Sequence, residues 1–142
     1  MKFVCKTLED TYALAQKLAR TLKGGEIILL TGDLGAGKTA FTKGLAAALG
    51  VKEVVTSPTF TFMKSYKGRL TLHHYDMYRV TDASELYELG LEEYLGDKEG
   101  VCAIEWNKFE DLKNVINVSI SGSGGAPREI EIRGAALCIS SR

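Results

Sequence analysis

The sequence has no surplus of charge of either sign: eighteen lysines and arginines stand against eighteen aspartates and glutamates, for a formal net charge of zero. Gripping a nucleic-acid backbone requires a basic excess, so the balance argues against a chain that holds RNA by itself. Long apolar runs are missing too, and nothing approaches the roughly 20 residues of a membrane-spanning helix. The basic start, Met1 to Thr7, has too short an apolar stretch for a secretory signal. A cytoplasmic location is the expectation. Cysteine is scarce, and Cys5, Cys102 and Cys138 are odd in number and far apart, each in a strand-like apolar run. Buried, reduced thiols fit that pattern better than a disulfide framework, a metal site or a nucleophile. No internal repeat or dividing linker interrupts the 142 residues, which suffice for one domain, 1–142, with a real core.

What is present is a loop. Gly32-Asp33-Leu34-Gly35-Ala36-Gly37-Lys38-Thr39 reads G-x-x-x-x-G-K-T, the signature of a phosphate-binding turn. Glycines let successive backbone N–H groups face phosphate oxygens, Lys38 adds positive charge, and the Thr39 hydroxyl is a ligand suited to Mg²⁺. The flanks agree with the motif. Glu26 to Thr31 is a strand-like run, and Lys38 to Leu49 carries Phe41, Leu45, Ala48 and Leu49 at helical spacing. The helix adds its N-terminal N–H groups and dipole to the same anion site.

Elsewhere the chain alternates strands and helices. Residues 2–6 read as a strand, and Thr7 to Asp10 resembles a capping box before a helix whose apolar face is Leu8, Tyr12, Ala15, Leu18, Ala19 and Leu22. Thr61 to Tyr66 and Leu70 to Tyr75 predict a hairpin, Asp82 to Glu85 another capping box, and Val101 to Trp106, Val115 to Ile120 and Arg128 to Arg133 further strands. Adjacent His73 and His74 point to opposite strand faces, which disfavours a shared metal site.

Two carboxylates stand out because each closes a strand, where ligands bind in α/β folds: Asp76 and Glu105. Beside a Mg²⁺-dependent loop, Glu105 reads as a metal ligand before it reads as a solvated acid. Thr56 to Thr61 is a hydroxyl-rich turn stiffened by Pro58. Composition alone favours an ordinary loop there over a switch loop. Spacing alone makes Thr11 an exposed early-helix residue, Trp106 a packing residue, and Arg79, Arg128 and Arg133 surface groups.

The assembled motifs, Gly32 to Thr39, Ser57-Pro58-Thr59, His74-Tyr75-Asp76-Met77-Tyr78-Arg79 and Ile104-Glu105-Trp106, resemble those of the TsaE (YjeE) family. These are small bacterial ATPases required for the threonylcarbamoyl modification of adenosine 37 in certain tRNAs. The resemblance implies that Gly32, Asp33, Leu34, Gly35, Ala36, Gly37, Lys38, Thr39 and the adjoining Ala40 hold the phosphates of ATP. It implies Thr39 and Glu105 as Mg²⁺ ligands, with Asp76 near the γ-phosphate, either associated with the metal or orienting the attacking water. Ser57 and Thr59 would form a switch-like loop, Trp106 would lie close by, and Thr11 and Arg128 would border the nucleotide. The implied partners are the TsaB and TsaD subunits of the threonylcarbamoyl transferase complex, with tRNA met only indirectly and no membrane involved.

The expected fold is a three-layer P-loop α/β architecture, its central sheet mainly parallel with antiparallel strands at the edges. ATP hydrolysis coupled to a protein partner is the leading function. A small-molecule kinase is a second reading, although no arginine-rich lid lies between Tyr78 and Gly100. A nucleotide-dependent interaction switch without turnover is a third. No guanine-selecting N-K-x-D pattern is apparent, which favours ATP weakly.

Overall fold

A computed structural model of the chain describes residues 1–33, 36–58 and 60–134. Leu34, Gly35 and Thr59 of the expected nucleotide site, and Cys138, lie outside the described residues.

After strand β1, Lys2–Cys5, the capping box forms as its residues require. Thr7 Oγ1 accepts from the Asp10 N–H at 3.1 Å while Asp10 Oδ2 accepts from the Thr7 N–H at 3.1 Å, satisfying two otherwise free donors. Helix α1, Leu8–Thr21, then buries Leu14, Ala15, Leu18 and Ala19, and Leu22 follows them into the core. Leu8 departs from the expected face: in the first turn it is 52% exposed. Strand β2, Ile27–Thr31, leads through the glycine loop to helix α2, Lys38–Ala48. The hairpin pairs β3, Met63–Tyr66, with β4, Thr71–Asp76. Helix α3, Ser84–Glu88, a 3-10 turn at Leu91–Tyr94, and strands β5, Gly100–Glu105, β6, Val115–Ser121, and β7, Arg128–Arg133, complete the order. At α3 the second predicted box forms by half: Glu85 Oε1 accepts from the Asp82 N–H, but Asp82 Oδ1 takes the Ser84 N–H while the Glu85 N–H goes to the Asp82 carbonyl, and Ala83 stands at the N-cap.

The sheet runs β1-β7-β6-β2-β5-β4-β3. Its middle, β6-β2-β5-β4, is parallel, and the 63–76 hairpin supplies the antiparallel edge expected at one end. At the other end β7 is antiparallel to β6, and β1 forms the outer edge beside it. β6 itself belongs to the parallel block. Helices α1 and α2 cover one face over Ile28, Leu30, Leu72, Ala103 and Val118, while α3, the 3-10 turn and Phe109 cover Ile27, Tyr75, Cys102 and Ile104 on the other. Neighbouring residues Ile27 and Ile28 are both buried because β2 is covered on both sides.

Gly44 sets how closely the helices pack. A Cβ there would lie 2.8 Å from the Ala15 Cβ and 3.1 Å from the Tyr12 Cα, so α2 can approach α1 only without a side chain. Gly44→Leu is expected to lower stability by about 3 kcal/mol through overpacking, measured by urea unfolding. Cys5 and Cys102 are buried and free, and burial raises both thiols, Cys102 up to about 12. Unreactive reduced thiols, as expected, follow for those two.

The adjacent histidines do face apart. His73 bonds the Ser65 hydroxyl through Nδ1 at 2.7 Å and Asp97 Oδ2 through Nε2 at 2.8 Å, tying the edge strand to the loop before β5. That bond holds the Asp97 carboxyl below its usual range. No group of three or more metal-ligating His, Cys, Asp or Glu residues occurs among the described residues.

Candidate functional site

The loop between β2 and α2 is built around backbone that tolerates no side chain. Gly32 has φ +148, and a Cβ on it would lie 2.4 Å from the Ile120 carbonyl oxygen. Gly37 caps α2 in the left-handed region, with φ 113, where glycine is favoured. The first α-helical bond of α2 runs from the Phe41 N–H to the Gly37 carbonyl at 3.0 Å. The N–H groups of Lys38, Thr39 and Ala40 therefore precede it, presented as at any helix N-terminus.

Lys38 is buried, with 5% of its surface exposed. Its Nζ donates to the Gly32 carbonyl at 2.6 Å and stands 3.9 Å from the centroid of the Trp106 ring. Burial pulls its pKa down, and the carboxylates of Glu105, Asp76 and Asp33 pull it back up. Trp106 has φ +57, uncommon and strained for a bulky residue. This kink at the end of β5 lays the indole beside Lys38, and Tyr78 packs edge-on to it at 5.0 Å. Trp106 is thus part of the loop's wall as well as a packing residue.

Asp76 and Glu105 are register partners at the ends of β4 and β5, so parallel pairing brings both carboxylates to one place. Both are buried, at 8% and 5% exposure. Asp76 Oδ2 accepts from the Ser57 hydroxyl at 2.9 Å and Oδ1 from the Tyr78 N–H at 3.0 Å. Ser57 is carried there by a fastened turn: Thr56 N–H donates to the buried Tyr66 hydroxyl at 3.3 Å, Pro58 is buried, and the Phe62 N–H closes on the Pro58 carbonyl at 2.8 Å. The hydroxyl-rich segment is therefore fastened to a buried carboxylate, which composition alone did not reveal. Arg79 stays outside, 5.1 Å over the exposed Phe60 ring.

Arg128 corrects the surface reading. Its Nε donates to the Ala36 carbonyl at 2.8 Å, while Nη1 and Nη2 reach Ala126 and Gly124 carbonyls at 2.6 and 3.2 Å. Arg133 is exposed and pairs with Glu131, as spacing suggested. Thr11 likewise is buried rather than exposed, at 4%. It borders a cleft of about 330 Å³ with Thr7, Leu8, Gly37, Ala40 and Arg128. Arg128→Ala is expected to lower stability by about 2 kcal/mol by releasing the loop from β7, since each hydrogen bond from a charged group contributes roughly 1.5–3 kcal/mol. Urea unfolding measures the change, and an unchanged midpoint would remove the tie.

The structure thus gathers Gly32, Ala36, Gly37, Lys38, Thr39, Ala40, Asp76, Glu105, Ser57, Thr11 and Arg128 around one loop, and Asp33 is exposed beside them. One side chain in contact with this set was not singled out: His74, whose Nε2 lies 2.8 Å from Glu105 Oε2. Its sequence signal is period two, because His74, Asp76 and the β5 residue Glu105 share a sheet face.

A sequence profile of the family described as "Threonylcarbamoyl adenosine biosynthesis protein TsaE" matches residues 5–130. Proteins named tRNA threonylcarbamoyladenosine biosynthesis protein TsaE give consistent similarity. The one from Treponema pallidum is 43% identical over 135 residues, covering 93% of this chain and 99% of the relative. That from Bacillus subtilis is 46% identical over 126 residues, covering 86% and 78%. A crystal structure of Bacillus subtilis YdiB superposes with a TM-score of 0.75 at 39% identity, covering 92% of this chain and 82% of that one.

Proposed function

The chain belongs to the TsaE family, with its role in threonylcarbamoyladenosine biosynthesis on tRNA, and from that premise we propose that it binds MgATP and hydrolyses it slowly in support of that pathway. The observation that carries the proposal is the meeting of two buried strand-end carboxylates, Asp76 and Glu105, with the lysine of a phosphate loop. A loop alone would bind phosphate. A loop faced by a pair of buried acids has the parts for hydrolysis.

The donor set fits Mg²⁺, which is hard and commonly takes one or two carboxylates together with substrate phosphates rather than an all-protein cage. Thr39 and Glu105 would hold it, with Asp76 beside them. When bound, the cation supplies charge neutralisation on the phosphate oxygens. The remaining roles belong to the chain. The N–H groups of Gly37 to Ala40 would hold the phosphates together with the Lys38 ammonium, whose three donors exceed the one bond it makes to the Gly32 carbonyl. Asp76, fixed at one oxygen by Ser57 and at the other by Tyr78 N–H, would orient the attacking water and receive its proton, or would sit beside the metal. The cleft beside Thr11 and Arg128 would take the adenosine end.

The rest of the function is external to this fold. Balanced net charge favours a protein partner over direct capture of tRNA, and the family resemblance points to TsaB and TsaD in the cytoplasm, with turnover resetting their complex. No helix among the described residues is long and apolar enough to cross a membrane. The test is phosphate release with and without TsaB–TsaD. Slow release that rises with the partners is expected. Absence of both nucleotide binding and stimulation would sink the reading, while ATP-dependent partner binding without release would favour the switch.

A further inference from the structure

The two histidines of β4 differ in how they are used. His73 bonds at both ring nitrogens, to Ser65 and Asp97. His74 does not. Its side chain is fully buried, its Nε2 lies 2.8 Å from Glu105 Oε2, and its buried Nδ1 has no hydrogen-bond partner among the described residues. A buried ring nitrogen left unpaired costs stability that an aromatic hydrocarbon of similar shape would not incur. Nδ1 therefore gives no stability reason for an imidazole at this position.

Its one bond does give a reason. An ionised carboxylate only accepts, so a bond to it at 2.8 Å is made by a hydrogen on Nε2. In the β4–β5 register His74 sits opposite Ala103, and Glu105 is the next β5 residue on that face. The small Ala103 side chain leaves the ring room to lean along β5 toward the carboxylate. We propose that His74 is a positioning residue for Glu105: its Nε2–H holds Oε2, fixes the carboxylate's orientation, and leaves Oε1 as the oxygen offered to a divalent cation. This inference rests on Glu105 being a metal ligand. Partners of ligating groups commonly set metal affinity by ten- to hundredfold when removed. Its effect passes through Glu105, the residue its Nε2 bonds.

Trp106, the sole tryptophan, reports on the site because it stands against Lys38. Its emission is titrated with ATP at increasing Mg²⁺ in the wild type, His74→Phe, His74→Gln and Glu105→Gln, with thermal midpoints measured alongside. His74→Phe is expected to fold and to bind ATP unchanged in EDTA. It should need ten- to hundredfold more Mg²⁺ for half-maximal response, and His74→Gln, which keeps a donor near the Nε2 position, should recover most of the loss. An unchanged Mg²⁺ requirement in His74→Phe, with Glu105→Gln strongly shifted, would overturn the positioning role and leave the metal assignment intact. An unchanged requirement in Glu105→Gln would remove the metal assignment beneath it. A His74→Phe defect equally large in EDTA would make the residue merely structural. Should that variant not fold, ring ¹⁵N shifts of the wild type decide. A proton on the His74 Nε2, with shifts that move when Mg²⁺ is added to the ATP complex, supports the inference; a bare Nε2 overturns it.

Discussion

Lys38→Ala should lose ATP affinity by roughly a hundredfold or more, about 3 kcal/mol, since each hydrogen bond from a charged group contributes about 1.5–3 kcal/mol. The size of the effect follows from what surrounds the side chain. Glu105, Asp76 and Asp33 all place negative charge near its buried ammonium. Without Lys38 those acids would face the incoming phosphates with no opposing side-chain cation, so the variant loses an attraction and gains a repulsion. Lys38→Arg should not restore binding, because a planar fork does not fit where the ammonium sits between the Gly32 carbonyl and the Trp106 ring. A titration of Trp106 emission with ATP measures both variants; wild-type affinity in Lys38→Ala would remove the loop from the account.

Asp76→Asn should show the opposite pattern, with nucleotide bound but turnover reduced by about 10²–10³, the scale of a lost general base. Asparagine is nearly isosteric and keeps an acceptor oxygen for the Tyr78 N–H. The ability to take a proton from water is what disappears. Ser57→Ala, which removes the hydroxyl bonded to Asp76 Oδ2, should reduce turnover in the same direction by a smaller factor. Glu105→Gln should also cut turnover far more than affinity measured without metal. Rapid-quench hydrolysis of prebound ATP reads these steps separately from binding. Equal single-turnover rates in wild type and Asp76→Asn would remove Asp76 from the chemistry.

The parts of this site legible in the sequence are those whose geometry is local. A glycine loop between a strand and a helix specifies its own shape, and an acid at the end of an apolar strand in an α/β chain points to the ligand side. Asp76 and Glu105 were therefore readable as candidates, and the capping box at Thr7 was readable as a helix start. What the sequence withheld is set by long-range pairing. Arg128 looks like a strand-end surface residue until the β6–β7 hairpin folds it onto Ala36, a contact 92 residues apart in the chain. Thr11 looks exposed until β1 takes the outer edge beside β7 and α1 packs over the sheet. Ser57 is an ordinary turn residue until Tyr66 and Pro58 fix the turn over β4. His74 was read for its alternation with His73, and its bond to Glu105 depends on which strand lies next to β4.

The central claim is that these residues form a site that hydrolyses MgATP, and phosphate release from ATP by the purified chain tests it most directly, assayed with Mg²⁺ and with EDTA beside Asp76→Asn. The account predicts slow, Mg²⁺-dependent release that the variant loses while still binding ATP. Release that is equal in EDTA, or equal in the variant, would contradict it.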